Sequence, residues 1–202
     1  MDAHGEGPLV VGIGGTARPG STTDRALRIA LEAARRAGAR TSCFGGRFIG
    51  GLPTYEPHSP IRTPDTRRLL QAVRAADGVL VATPGYHGGV SGVVKNALDF
   101  LEDLRDDERP YLDGRAVGCI VTAFGWQACT TTLLALRTIA HALRGWPTPL
   151  GATLNTATGI FDAGGAVTDP KAALQLDLVA RQVVQFAQAG VHARVPNQPA
   201  EV

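Results

Sequence analysis

Apolar residues in this chain come in short unbroken runs, separated by stretches in which they recur every three or four positions. That is the pattern of strands buried on both faces alternating with amphipathic helices. Leu9-Val10-Val11-Gly12-Ile13 predicts a first strand, and a helix from Thr22 to Ala37 follows with Leu27, Ile29, Ala30 and Leu31 on its apolar side. The remaining runs predict strands at Ala39–Phe44, Gly78–Ala82, Arg115–Val121 and Leu150–Leu154. Helices are expected at Thr66–Ala76, Ser91–Leu104 (Val94, Leu98 and Leu101 on one stripe), Thr130–Leu143 and Pro170–Ala189, the last with Asp169 as N-cap and Pro at its first position. Between Gly45 and Pro64, turn residues crowd together and mark a surface excursion. Five strands thus alternate with five helices. The order predicts an α/β three-layer sandwich: a parallel sheet with helices on both faces, joined by right-handed crossovers.

Composition narrows the class. A chain of 202 residues, 44% hydrophobic, suits one domain, here 9–190, between short tails at 1–8 and 191–202. The net charge is +2 and the basic residues are spread over helix faces, which favours neither nucleic-acid nor membrane-surface partners. Neither a bilayer-spanning apolar run nor a signal-peptide pattern is present, so the expected location is the cytoplasm. Cys43, Cys119 and Cys129 have no ligand spacing, and the histidines show none either, so no metal site is expected and the cysteines read as reduced thiols.

Two loops carry the chemistry. The first, Gly14-Gly15-Thr16-Ala17-Arg18-Pro19-Gly20-Ser21-Thr22-Thr23, joins a strand to a helix and offers glycine amides, hydroxyls and an arginine at a helix N-terminus. Backbone N–H groups, the helix dipole and a guanidinium are what a phosphate needs. The second, Thr83-Pro84-Gly85-Tyr86-His87-Gly88-Gly89, also follows a strand and can border a flat ring. In an open parallel sheet, ligands gather at the carboxyl ends of strands where the strand order reverses. With the order 2-1-3-4-5 both loops flank that point, and a ring with a phosphate tail fits the crevice.

Thr16, Arg18, Ser21 and Thr23 stand in the pattern Ser-x-Arg-x-x-Ser-x-Asn, while Thr83-Pro84-Gly85-Tyr86-His87 followed by Gly92-Val93-Val94-Lys95-Asn96-Ala97-Leu98-Asp99 matches a second signature. With these motifs the chain resembles the NADPH-dependent FMN reductase family of flavodoxin-like proteins, from about Val10 to Phe186 by element order. The resemblance implies a flavodoxin-like five-stranded sheet and FMN bound with its phosphate at Thr16, Arg18, Ser21, Thr22 and Thr23. Its isoalloxazine would lie against Pro84, Gly85, Tyr86, His87 and Gly88 and, from the fourth loop, Gly125 and Trp126. It further implies hydride transfer from NADPH to FMN, with the reduced flavin passed to a flavin-dependent monooxygenase, in a homodimer or homotetramer. Element lengths from Gly114 onward are similar to those of flavin reductases serving two-component monooxygenases. The alternative is an FMN-bound enzyme reducing a quinone, azo or nitro compound or one specialised metabolite.

The departures from the family pattern touch the ring: Gly85 replaces Glu, His87 replaces Asn, and the fourth loop reads Ala123-Phe124-Gly125-Trp126-Gln127-Ala128. His87 can donate to a flavin carbonyl, and Trp126 can cover the ring or simply pack. Arg18, Arg47 and Arg115 are the candidates for a 2′-phosphate. Gly12-x-Gly14-x-x-Ala17 also satisfies the dinucleotide fingerprint, but the expected acidic residue is missing from Cys43-Phe44-Gly45-Gly46-Arg47. A flavodoxin-like electron carrier would be strongly acidic and would lack Arg18.

Overall fold

The computed structural model describes residues 7–18 and 20–191. The tails expected at 1–8 and 191–202 therefore fall, apart from Gly7, Pro8 and the backbone of Val191, outside the described residues. The strands are β1 (Leu9–Gly14), β2 (Arg40–Phe44), β3 (Gly78–Tyr86), β4 (Gly89–Val90), β5 (Ala116–Ala123), β6 (Trp146–Pro147) and β7 (Ala152–Asn155). The helices are α1 (Thr22–Arg36), α2 (Gly46–Ile49), α3 (Pro64–Ala75), α4 (Gly92–Asp99), α5 (Trp126–Ala142) and α6 (Pro170–Val191). Short 3-10 turns follow α4 at Phe100–Leu104 and β7 at Thr156–Thr158.

The sheet runs β2-β1-β3-β5, and both β6 and β7 pair in parallel with β5, so two short segments share the fifth position. Trp146 and Thr148 donate to Arg115 O and Val117 O, but the next donor in that alternation, the Leu150 N–H, goes to Gln182 Oε1 at 3.1 Å, and the ladder resumes only at Ala152. The sheet accordingly has seven strand segments where five were expected. The extra one, β4, folds back antiparallel on the end of β3.

Neighbouring strand residues point to opposite faces, and both faces are covered. Val10, Leu80, Ala82 and Ile120 pack under α1 and α6, against Leu27, Leu31, Leu176, Val179 and Val183. Val11, Ile13, Val79, Val81, Val117, Cys119 and Val121 pack on the other face against Leu69, Val73, Val94, Leu98 and Leu136 of α3, α4 and α5. At Gly118 a Cβ would come within 2.5 Å of Leu80 and 2.7 Å of Val179, so this glycine lets α6 lie close to the sheet.

Several element boundaries differ from the sequence pattern, among them the end of β3, which runs to Tyr86 rather than Ala82. Helix α3 begins at Pro64, because Thr63 caps it by accepting the N–H of Thr66 at 3.2 Å. Helix α4 ends at Asp99 and continues only as a 3-10 turn. Helix α5 begins at Trp126, four positions before the expected Thr130, and the threonines there return their hydroxyls to the preceding turn, Thr130 to Trp126 O at 3.0 Å and Thr131 to Gln127 O at 3.1 Å.

Arg115 belongs to the architecture. It is 1% exposed and donates to the carbonyls of Ala76 (3.0 Å), Arg74 (2.9 Å), Tyr111 (3.2 Å) and Asp113 (3.3 Å), tying the end of α3 to the start of β5. Burial lowers its pKa to about 10. It lies at the amino end of the parallel strands, which removes it from the 2′-phosphate candidates.

Candidate active site

The strand order reverses between β1 and β3, and the loops leaving their carboxyl ends meet there. Gly14 and Gly15 turn the chain out of β1 with φ of 147° and 112°, values closed to ordinary side chains. The turn is backed by α2: a Cβ on Gly46 would lie 1.9 Å from Thr16 O. Ser21 caps α1, accepting the Asp24 N–H at 3.2 Å. The N–H groups of Thr22 and Thr23, in the first turn, have no acceptor within the helix and face outward from its positive end.

Asp24 would oppose an anion here, yet its charge is turned away. It is 7% exposed, accepts the Gly46 N–H at 3.1 Å and pairs with Arg28 at 3.1 Å. Arg18 is different: it is exposed, and among the described residues its guanidinium has no ion-pair or hydrogen-bond partner. Its own N–H donates to Thr16 Oγ1 at 3.2 Å, which holds the loop around the side chains that carry the positive and donor groups.

The second wall comes from β3. The strand runs past Ala82 to Tyr86 and returns as β4 through a two-residue turn at His87 (φ 51°) and Gly88 (φ 83°). Positive φ at both positions is the hairpin turn that matches strand twist. Gly85 is bare because α5 presses on it: a Cβ would lie 2.8 Å from Thr132 Oγ1 and 3.1 Å from the Ala123 Cβ. The third wall is the turn from β5 to α5. Gly125 donates its N–H to Asn155 Oδ1 at 3.1 Å, and Thr156 Oγ1 donates to Ala123 O at 3.2 Å, so the end of β7 fixes Phe124 and Gly125 in place.

These walls enclose a cleft of about 490 Å³ lined by Thr16, Arg18, Ser21, Thr22, Thr23, Pro84, Gly85, Tyr86, Thr122, Ala123, Phe124 and Thr156. Its size is that of a small-molecule site. Eight of the twelve residues expected to bind cofactor line it. The other four do not: His87 and Gly88 form the exposed hairpin tip, and Gly125 is the N-cap of α5. Trp126 is the first residue of that helix and lines a separate, smaller cavity with Asn155, Asp169 and Lys171. Thr122, Ala123, Phe124 and Thr156 are the residues that sequence reasoning missed. Thr122 and Ala123 end β5, which pairs with β3, and Phe124 follows directly, a position that points to the site once the strand order is known; Thr156 carries no sequence signal.

The lining contains N–H groups, hydroxyls and one guanidinium at one end, flat backbone and two aromatic rings at the other, and no carboxylate. This donor set fits a phosphate monoester joined to a planar ring. Thiol chemistry is not available beside it: burial pushes the Cys119 thiol up to about 12 and raises Cys129 as well.

Residues 8–159 match the NADPH-dependent FMN reductase family. The chain belongs to that family. An NAD(P)H-dependent FMN reductase of Pseudomonas aeruginosa is 31% identical over 171 residues, which are 81% of this chain and 86% of that protein. An FMN-dependent NADPH-azoreductase of Staphylococcus haemolyticus is 30% identical over 141 residues, 69% of each chain. Among solved structures, the flavoenzyme NAD(P)H:(acceptor) oxidoreductase FerB of Paracoccus denitrificans superposes with a TM-score of 0.73 at 21% identity, covering 90% of this chain and 98% of its own, a likeness of fold. As a member of the family, the protein is an NAD(P)H-dependent flavin oxidoreductase that uses FMN. Among the described residues, no helix is long and apolar enough to cross a membrane.

Proposed function

We propose that FMN enters the cleft as an exchangeable substrate, is reduced by NADPH and leaves to supply a flavin-dependent monooxygenase. The observation that carries this reading is the free guanidinium of Arg18 beside the open N-terminus of α1. A cation without a protein partner among the described residues, next to three hydroxyls and the open first turn of a helix, is an anion site waiting for its ligand, and its exposure suits a ligand that comes and goes. Ser21 and Thr22 offer the phosphate O–H donors, Thr16 Oγ1 holds the loop around it by donating to Arg18 O at 3.2 Å, and Arg18 neutralises it. Pro84 and Gly85 offer a flat floor for the ring. Tyr86 and Phe124, 54% and 82% exposed, border it and leave one side open to the nicotinamide. When bound, FMN supplies the hydride-accepting chemistry, and the protein supplies alignment and control of water and oxygen.

A second reading has its own support. The aromatic border also suits a planar organic acceptor, and relatives of the chain are named azoreductase and 2-hydroxy-1,4-benzoquinone reductase. In that case FMN stays bound and the acceptor takes the nicotinamide's place. A visible spectrum after exhaustive dialysis, followed by NADPH oxidation with and without FMN, separates the two. Colourless protein whose turnover saturates with added FMN supports the exchange reading; retained yellow colour, with turnover only when a quinone or azo dye is present, contradicts it.

We place the protein in the cytosol as a homodimer or homotetramer. Support comes from Trp126 and Leu134, 61% and 62% exposed and two turns apart on α5, next to Phe124. Light scattering that returns the monomer mass of 21.1 kDa would contradict the assembly.

A further inference from the structure

Behind the phosphate cradle two threonines face each other across the layers. Thr23 Oγ1 of α1 and Thr122 Oγ1 of β5 are 2.6 Å apart, and the residues are 1% and 4% exposed. Both line the cleft. Each hydroxyl carries one proton and two lone pairs, and a hydroxyl pair consumes one of its two protons. Among the described residues neither oxygen has a further partner, so one O–H is left to be satisfied by whatever occupies the cleft. A buried hydroxyl proton without an acceptor is costly, which makes that remaining direction informative.

The pair's place in the sheet indicates the acceptor. Thr23 follows the Ser21–Thr22 cradle in the chain, and Thr122 is in register with Pro84 on the neighbouring strand. The spare proton therefore lies between the phosphate end and the ring end. Resting on the reading that FMN occupies the cleft, we propose that the Thr23–Thr122 pair donates a hydrogen bond to a ribityl hydroxyl, gripping the polyol that links phosphate and ring. The pair thus selects for a hydroxylated linker.

The test is equilibrium binding, by flavin fluorescence quenching, of FMN, riboflavin and lumiflavin, the last lacking the ribityl chain. In the double variant Thr23→Val/Thr122→Val both hydroxyls are replaced by groups of the same shape, so no buried partner is orphaned. A melting curve checks that it folds. The double variant is expected to lose about 3- to 10-fold in affinity for FMN and riboflavin alike, with lumiflavin unchanged, while Thr122→Ser retains wild-type affinity. Unchanged affinities, or an equal loss for all three flavins, would overturn the inference. A loss confined to FMN would overturn it too, by assigning the proton to the phosphate. If the wild-type protein bound no flavin, the functional reading would fall with it; wild-type binding with an indifferent double variant removes this inference alone.

Discussion

The two ends of the cleft are built on different principles. At the end proposed to hold the phosphate, every group comes from one contiguous stretch, Thr16 to Thr23, held by a capped helix and by the backing of Gly46. At the ring end, the floor is the backbone of a hairpin, and the border is two aromatic side chains fixed from other elements, Tyr86 by β3 and Phe124 by the Asn155 clamp on its neighbour Gly125. The first end can be strong for one chemical group whatever the rest of the ligand is. The second can change its acceptor by changing side chains, without disturbing the fold. On the proposed reading anchoring and selectivity are thereby separated in space, and the departure from the family pattern at Gly85 falls at the second end.

Substitutions can break that division. The largest effect is expected at Gly46→Val, whose Cβ would collide with Thr16 O: a loss of about 3 kcal/mol or more of stability together with FMN binding, read from melting curves and titration. Arg18→Ala is expected to leave melting unchanged and to weaken FMN by about 1.5–3 kcal/mol, roughly 10- to 100-fold, while riboflavin binding stays the same. Gly85→Ala should cost about 1 kcal/mol by pushing against Thr132 and Ala123. It should change kcat/KM for the acceptor while FMN affinity holds, and a parallel loss of both would erase the division. The smallest effects belong to the exposed aromatics. Phe124→Ala should stay within about 0.5 kcal/mol in stability and reduce acceptor kcat/KM a few-fold, whereas Trp126→Ala, outside the main cleft, should leave flavin affinity alone.

The same division explains what could be read from the chain. The layers, the strand alternation and the cradle were legible because each depends on residues close in sequence: continuous apolar runs, a glycine turn, a hydroxyl cap before a helix. The ring end was legible only in part. The helix after β5 starts at Trp126 because Gly125 adopts a φ of 123°, and nothing local in Phe124-Gly125-Trp126 announces it. His87 and Gly88, expected beside the ring, form the tip of the β3–β4 hairpin, a turn that needs the pairing with β4 to be seen. Thr122 and Thr156 reach the cleft through sheet order, which no single strand encodes. A missed local signal also exists: Thr63-Pro64 is an ordinary N-cap and first helical position, and it places the start of α3 correctly.

The central claim, that the N-terminus of α1 with Arg18 holds the phosphate of FMN, is tested most directly by titrating the wild-type protein with FMN and with riboflavin under the same conditions. The account predicts that FMN binds more tightly by about 10- to 100-fold, the contribution of charge-assisted hydrogen bonds to the phosphate. Equal affinities for the two flavins would contradict it.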